Sequence, residues 1–341
     1  MTNGQDSSII LKLTENKEVI VLKKIDLITG FLGSGKTTFL KKYVRYLLDK
    51  GEKVCILEND FGAINVDMVL LQDLLCENCE IEMIIGGDGA EAHKRRFKTK
   101  LIAMGMKDYT RIIVEPSGIF DMDEFFDLMY ESPIDRWYEI GSVLTILDAT
   151  LPDVLSKQSE YLMATEAANS GKIIISKAQL VDEMKIESTI AHLRSSMEEF
   201  DCSRKLNDNS FLIKDWDELK EDDYKKLSNC GYVHSDYVKQ SITEDFYRSL
   251  FYFNVSFDET ELKEVLKKIF SDEKCGLVHR IKGFIKGGKA GWLEINATGE
   301  KIELSDSEYG QDVIIVIGEL LDDAVIRPYF GENTKVPECV S

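Results

Sequence analysis

Ile25-Asp26-Leu27-Ile28-Thr29-Gly30-Phe31-Leu32-Gly33-Ser34-Gly35-Lys36-Thr37-Thr38 passes from an apolar, β-branched run into a glycine-rich turn and then into a helical pattern. Gly30 to Thr37 fit G-x-x-x-x-G-K-[ST] in full, a loop that cradles phosphates between a strand and a helix. Glycines let backbone N–H groups curl around phosphate oxygens at a helix N-terminus, and a lysine neutralises charge on the β- and γ-phosphates. A hydroxyl at the last position is a ligand for Mg²⁺. Gly30, Gly33, Ser34, Gly35, Lys36, Thr37 and Thr38 are therefore the expected nucleotide-binding residues, with Thr37 on Mg²⁺ and Lys36 stabilising charge during phosphoryl transfer.

The segment after the loop supports this reading. From Thr37 to Lys50, Leu40, Tyr43, Val44 and Leu47 recur at helical spacing, and Gly51 supplies a stop. Further runs, Lys53–Leu57, Arg111–Val114, Ser142–Leu147 and Lys172–Ile175, read as strands separated by helical patterns. That alternation predicts an α/β fold with a mostly parallel sheet. Residues 1–22 read as an N-terminal hairpin extension, 23–185 as the P-loop nucleotide-binding domain and 186–245 as an acidic, helical connector on the surface. Residues 246–332 read as a smaller α+β domain, ferredoxin-like in outline, and 333–341 as a tail.

Arg111-Ile112-Ile113-Val114 ends in Glu115-Pro116-Ser117-Gly118. An acid at the end of a buried strand can hold Mg²⁺ directly or through water, so Glu115 is the second expected metal-holding residue. Gly118 can bring its N–H to a γ-phosphate. The formal net charge of −19 disfavours nucleic acid and anionic membrane surfaces as partners, and no apolar run is long enough to cross a bilayer. The only basic cluster, His93-Lys94-Arg95-Arg96 with Lys98 and Lys100, reads as a solvated helix face. Met1 to Asp6 lack a signal-peptide pattern, and the odd count of seven cysteines does not suggest a disulfide framework; both point to a reducing, cytoplasmic address.

Ile28 to Thr38, then Asn59-Asp60-Phe61-Gly62 with Asp67, then Val114-Glu115-Pro116-Ser117-Gly118, resemble the CobW family of P-loop GTPases. These are relatives of the nickel-insertion GTPases for urease and hydrogenase. His279-Arg280-Ile281-Lys282-Gly283-Phe284 and Val316-Ile317-Gly318 resemble that family's small second domain, so the likeness covers roughly residues 25–330. The resemblance implies GTP hydrolysis coupled to handling Zn²⁺ or Co²⁺, or to cobalamin metabolism, on behalf of a client metalloprotein or a corrinoid-related protein. Within it, Asp60 positions water or a second cation and Asp67 anchors the first switch.

The chain departs from that family at two places. Where the family carries Cys-x-Cys-Cys, this chain has Gly87, Gly89 and Ala90. Thiolates select Zn²⁺ or Co²⁺ over Mg²⁺, so the metal role cannot simply be inherited. Cys76-Glu77-Asn78-Cys79 lies just upstream and offers two ligands of a tetrahedral site; two cysteines packed at the edge of an element is the simpler reading. Where such GTPases carry Asn-Lys-x-Asp, this chain has Ser176-Lys177-Ala178-Gln179. Lys177 can lay its stem along a base, but Gln179 cannot offer guanine two acceptor oxygens, which weakens preference for GTP over ATP.

His192, His234 and His279 read as structural, and Trp137, Trp216 and Trp292 are too dispersed for a stacking platform. No arginine stands out as a charge-stabilising finger. Three functions stay open: a slow nucleotide-driven metallochaperone or cobalamin-linked accessory protein, a nucleotide-gated assembly factor that carries no transition metal, and a small-molecule kinase.

Overall fold

Alternate residues of the same strands divide between two apolar cores, and this division is what makes the first domain a layered sandwich. Ile25, Leu27, Ile112 and Val114 pack into one core, while Ile28, Ile56 and Ile113 pack into another, all of them fully buried. Strands buried on both faces require a sheet covered by helices on each side, the arrangement of parallel α/β proteins. In the computed structural model, residues 12–13, 19–60, 70–85, 90–116, 120–240 and 246–331 are described.

Strand β1 (Lys12–Leu13) pairs antiparallel with β2 (Val19–Ile20), Lys12 opposite Ile20; the turn expected between them lies outside the described residues. The main sheet contains β3 (Lys23–Thr29), β4 (Val54–Asp60), β5 (Cys79–Ile85), β6 (Arg111–Pro116), β7 (Tyr138–Asp148), β8 (Lys172–Ser176) and β9 (Phe211–Ile213). Their order is β5-β4-β6-β3-β7-β8-β9, with every neighbouring pair parallel. The helices of this domain are α1 (Lys36–Asp49), α2 (Ala90–Gly105), α3 (Met122–Met129), α4 (Ile134–Trp137), α5 (Lys157–Asn169), α6 (Glu183–Glu199) and α7 (Glu221–Leu227). Helix α1 buries Phe39, Leu40, Tyr43, Val44 and Leu47, the face expected from its spacing.

The segment expected to be a surface connector instead builds part of this layer. Ile190, Leu193 and Met197 of α6 share a core with Tyr161 and Ala164 of α5, and β9 pairs with β8 from Ile173↔Phe211 to Ile175↔Ile213. Low apolar content misled there because β9 is a three-residue edge strand, too short to show a period. Strand β5 also extends the sheet beyond the five expected strands.

An ion pair is buried inside this domain. Arg111 Nη1 lies 2.8 Å from Asp26 Oδ2, which also accepts from Tyr43 OH at 2.7 Å, while Ser142 N–H reaches Asp26 Oδ1 at 2.8 Å. Satisfied in this way, Asp26 ties β3, β6, β7 and α1 together at the strand ends away from the glycine loop.

The second domain consists of β10 (Tyr247–Tyr252), α8 (Glu259–Ser271), β11 (Leu277–Lys286), β12 (Trp292–Ala297), β13 (Ile302–Ser307), β14 (Val313–Glu319) and α9 (Asp323–Phe330). The sheet order is β10-β14-β11-β12-β13, antiparallel throughout. A split β-α-β unit with β14 between β10 and β11 matches the expected ferredoxin-like outline. The remainder does not: β11, β12 and β13 form a meander, and the last helix follows the final strand. Helices α8 and α9 bury one sheet face through Leu262, Leu266, Ile269 and Ile326. The other face, with Phe284, Val313, Ile315 and Ile317, packs against Leu32 of the glycine loop. No helix among the described residues is long and apolar enough to cross a membrane.

Candidate nucleotide-binding site

The glycine loop leaves β3 at the centre of the parallel sheet and enters α1 at Lys36. Gly30 has φ +144°, and a Cβ there would come within 2.4 Å of Ile146 O. Gly35 precedes the helix in the left-handed region at φ +98°, against the ring of Trp216. Neither position accepts a side chain without strain. Lys36 Nζ donates to Gly30 O at 2.8 Å, so its ammonium lies over the loop.

Thr37 Oγ1 donates to Glu115 Oε1 at 2.7 Å, which brings together the two residues expected to hold Mg²⁺ from the start of α1 and the end of β6. Glu115 is only 4% exposed. In register beside it on β4 stands Glu58, 3% exposed and lining the same cleft. Sequence reading missed Glu58, although the signal was present: Leu57-Glu58 repeats the strand-ending pattern of Val114-Glu115. Asp60 closes β4, but its side chain is not among those described; Asp67, Gly87, Gly89 and Gly118 lie outside the described residues.

Beneath the loop lies a carboxyl that sequence reading also missed. Glu166 of α5 is 1% exposed and accepts from Thr29 Oγ1 at 2.7 Å. Burial pushes it up to about 7, against the opposing pull of the Lys36 charge and of hydrogen bonds from Thr29 and the Gly30 backbone.

The second domain roofs the site. Phe31 packs edge-on against the imidazole of His279 at 5.4 Å and against Tyr247 at 6.4 Å. His279 Nε2 lies 2.8 Å from Glu319 Oε1, which also accepts from Ser159 Oγ at 2.6 Å and Ser156 Oγ at 3.1 Å. Burial acts to raise the Glu319 carboxyl, but the hydrogen bonds from His279 and Ser159 outweigh it and hold the group low. Phe31 and Leu32, unconstrained by the loop motif, thus couple the phosphate loop to the second domain.

Between the domains runs a cleft in two connected parts. A cavity of about 410 Å³ holds Lys36, Thr37, Glu58 and Glu115 on one wall and Arg280, Lys282 and Glu294 on the other. A second cavity of about 640 Å³ holds Ser176, Lys177, Gln179, Asp215 and Trp216, facing Asn296 and Glu303. Gly33, Gly35, Thr38, Arg280 and Asn296 line both. The phosphate end and the base end expected from sequence are therefore joined in one elongated site. Ser34 is buried in the loop at 1% exposure and also lines the second cavity.

At the base end the arrangement differs from expectation. Lys177 has φ +55° and pairs with Asp148 through its ammonium, so its charge is engaged at the strand ends. Gln179 is exposed in a short 3₁₀ turn, Ala178–Leu180. Trp216 stands edge-on to Phe39 at 5.4 Å and reaches the start of α1, so one of the three dispersed tryptophans does line the cleft. It comes from the segment following β9, which carries no motif to announce it.

His93, expected on a solvated helix face, is fully buried, with Nδ1 3.4 Å from Glu124 Oε1. Lys94 and Lys98 do stay near solvent, both paired with Glu131. Cys76 is exposed, whereas Cys79 is 1% exposed in the apolar core around Leu71 and Leu74. Burial pushes the Cys79 thiol up to about 12, which disfavours the thiolate that a metal requires. Among the described residues no group of three His, Cys, Asp or Glu side chains converges to hold a metal.

Comparison with known proteins agrees with this geometry. Residues 24–203, just over half of the chain, match the family model described as CobW/HypB/UreG, nucleotide-binding domain. The chain belongs to this family. Among curated members, the zinc chaperone YeiR of Escherichia coli is 31% identical over 133 residues, covering 38% of this chain and 39% of YeiR. The zinc chaperone YjiA of the same organism is 22% identical over 209 residues, covering 56% of this chain and 63% of YjiA. The chain thus spans less than two thirds of the length of either relative. The solved structure of Zn(II)-bound YjiA GTPase from E. coli aligns over 91% of this chain at 16% identity with a TM-score of 0.34. The CobW/HypB/UreG match ends at 203, before β9 and before the Trp216 segment that completes the cleft.

Proposed function

We propose that the chain is a slow, Mg²⁺-dependent nucleoside triphosphatase whose turnover serves the handling of a transition metal for a client protein. The observation that carries the reading is the 2.7 Å contact of Thr37 with Glu115 beside Lys36 on the glycine loop. This all-oxygen pair suits Mg²⁺, which would neutralise phosphate charge when bound. Lys36 and the loop N–H groups from Gly33 to Lys36 stabilise charge on the transferring phosphoryl group. Buried Glu58, in register with Glu115 on β4, supplies a carboxylate to orient the attacking water, a role the family resemblance gives to Asp60. Residues 23–240 act as the nucleotide unit and 246–331 as the unit that covers it. A cytoplasmic setting is consistent with free thiols at Cys55, Cys76, Cys79, Cys202, Cys230 and Cys275.

The relatives named zinc chaperones support Zn²⁺ as the cargo, and the family resemblance leaves Co²⁺ and a corrinoid-linked client open. A second reading, a nucleotide-gated assembly factor carrying no transition metal, is favoured by the core position of Cys79 and by Gly87, Gly89 and Ala90 where the family has thiolates. Phosphate release from GTP and ATP with and without Mg²⁺ tests the common claim; absence of Mg²⁺-dependent release in the wild type would refute it. Zn²⁺ or Co²⁺ titration with a non-hydrolysable triphosphate then separates the readings. Stoichiometric binding lost in Cys76→Ser supports the metallochaperone, and its absence supports the assembly factor.

A further inference from the structure

Among the described residues, the arginines lining the cavity that holds Lys36 and Thr37 are Arg248 and Arg280, both from the second domain, and of these Arg280 also lines the adjoining cavity. Strand β11 shifts register against β14 between Val278 and Arg280. A bulge of this kind re-aims side chains and recurs next to active sites. Here His279 turns to Glu319 and Phe31, while Arg280 lies along the glycine loop: a Cβ placed on Gly33 would sit 3.8 Å from Arg280 Cδ. The Arg280 side chain lines the cavity that holds Lys36 and Thr37 as well as the one that holds Lys177 and Gln179, so it stands where the two meet.

Its other contacts leave the guanidinium available to an anion. Among the described residues Arg280 makes one hydrogen bond, from Nε to Asn296 Oδ1 at 3.3 Å, and no ion pair. Asn296 lies on β12 opposite Lys282 and lines both cavities, so it fixes the plane of the guanidinium without neutralising it. Its charge also acts on Glu294, whose carboxyl burial raises against the opposing pull of a hydrogen bond from Ser305 and of the Lys41 and Arg280 charges. In a chain of net charge −19, a cation held over the phosphate loop without a paired carboxylate matches a polyanionic ligand.

We propose that Arg280 reaches from the second domain onto the triphosphate and stabilises the charge that develops during transfer, the role of an arginine finger supplied within the same chain. This proposal rests on the nucleotidase reading above. It also gives the roofing domain a chemical role, because any motion that lifts β11 from Gly33 would withdraw the arginine and stop turnover.

The test compares wild type, Arg280→Ala, Arg280→Lys and Asn296→Ala by kcat, KM, GDP affinity and formation of the GDP–Mg²⁺–aluminium fluoride complex. Expected is a fall in kcat of about 1,000-fold in Arg280→Ala, the low end of what such arginines supply. GDP affinity and melting temperature should stay close to wild type, and the aluminium fluoride complex should be lost. Arg280→Lys should recover only part of kcat, because an ammonium cannot reproduce the planar fork, and Asn296→Ala should fall between wild type and Arg280→Ala. If Arg280→Ala does not fold, Arg280→Lys and Asn296→Ala carry the same comparison. An unchanged kcat, or a loss confined to KM, overturns the proposal while leaving the nucleotidase reading intact. A wild type without Mg²⁺-dependent turnover sinks that reading first.

Discussion

The two ends of the cleft are built to different standards. At the phosphate end, Lys36, Thr37, Glu58 and Glu115 project from the ends of buried strands or the first turn of α1; Lys36 is held by Gly30 O, Thr37 and Glu115 hold one another, and Glu58 is buried in register beside Glu115. At the base end, Gln179 is exposed on a single 3₁₀ turn and Lys177 is committed to Asp148. Sites placed on rigid elements hold geometry better than sites placed on loops. The difference teaches that, on the proposed reading, the chain should be stricter about a triphosphate than about the base attached to it.

The largest effect that would break this contrast is at Lys36. Lys36→Ala removes a charged donor from two phosphates while touching no apolar core. Hydrogen bonds to charged groups contribute about 1.5–3 kcal/mol, so triphosphate affinity should fall by roughly ten- to more than a hundredfold. Equilibrium binding of GTP and ATP, with thermal unfolding as the control for folding, reads the result. Equal affinity in wild type and Lys36→Ala would mean that the loop is not the phosphate site.

A smaller effect concerns what supports the loop from below. Glu166 is raised from 4.5 to about 7 chiefly by burial. The neutral acid is thus the form the fold favours. Its stabilising contribution is complete below about pH 4.5 and is lost as pH rises through about 7. Glu166→Gln stays neutral throughout, so its melting temperature relative to wild type should climb between pH 5 and pH 8. The expected difference is on the order of 2 kcal/mol, or several degrees. A difference that does not vary with pH would show that Glu166 does not titrate in this range and that the Lys36 charge keeps it ionised.

How much of this was legible in sequence follows from where the constraint lies. The glycine loop, Thr37 and Glu115 could be read because phosphate chemistry fixes residue types at fixed spacing. The five inner strands could be read because burial on both faces demands continuous apolar runs. Phe31, Leu32 and Arg280 could not be assigned, because their roles depend on a contact between segments some 250 residues apart, such as Phe31 with His279. Glu166 looks like any helical acid until Thr29 is seen against it. His93 was misread because charge in its neighbours Lys94, Arg95 and Arg96 masked the one position that faces inward. Cys76 and Cys79 share a spacing typical of ligands, yet mutual backbone hydrogen bonds at 3.2 and 3.1 Å make that spacing a tight turn with one thiol in the core.

The smallest effect sharpens the base end. Guanine is read by an acidic side chain that accepts from two donors, and Gln179 offers one acceptor oxygen and an amide NH₂ that repels the other donor. Loss of a charged bidentate contact removes about 1.5–3 kcal/mol of discrimination, so wild type should favour GTP over ATP by roughly tenfold or less. Gln179→Asp with Ser176→Asn should raise that ratio. The gain is limited by its surroundings: Asp215 and Asp217 line the same cavity, and among the described residues Asp217 forms an ion pair, with Lys42 at 2.6 Å, while Asp215 forms none. A new carboxylate there meets like charge, so the ratio should rise by about tenfold rather than the full amount. Competition between GTP and ATP for the same labelled analogue gives the ratio in both proteins. A wild type that prefers GTP by a hundredfold or more would show that backbone groups or Asp215 already read the base, and the contrast between the two ends would then be one of chain position alone.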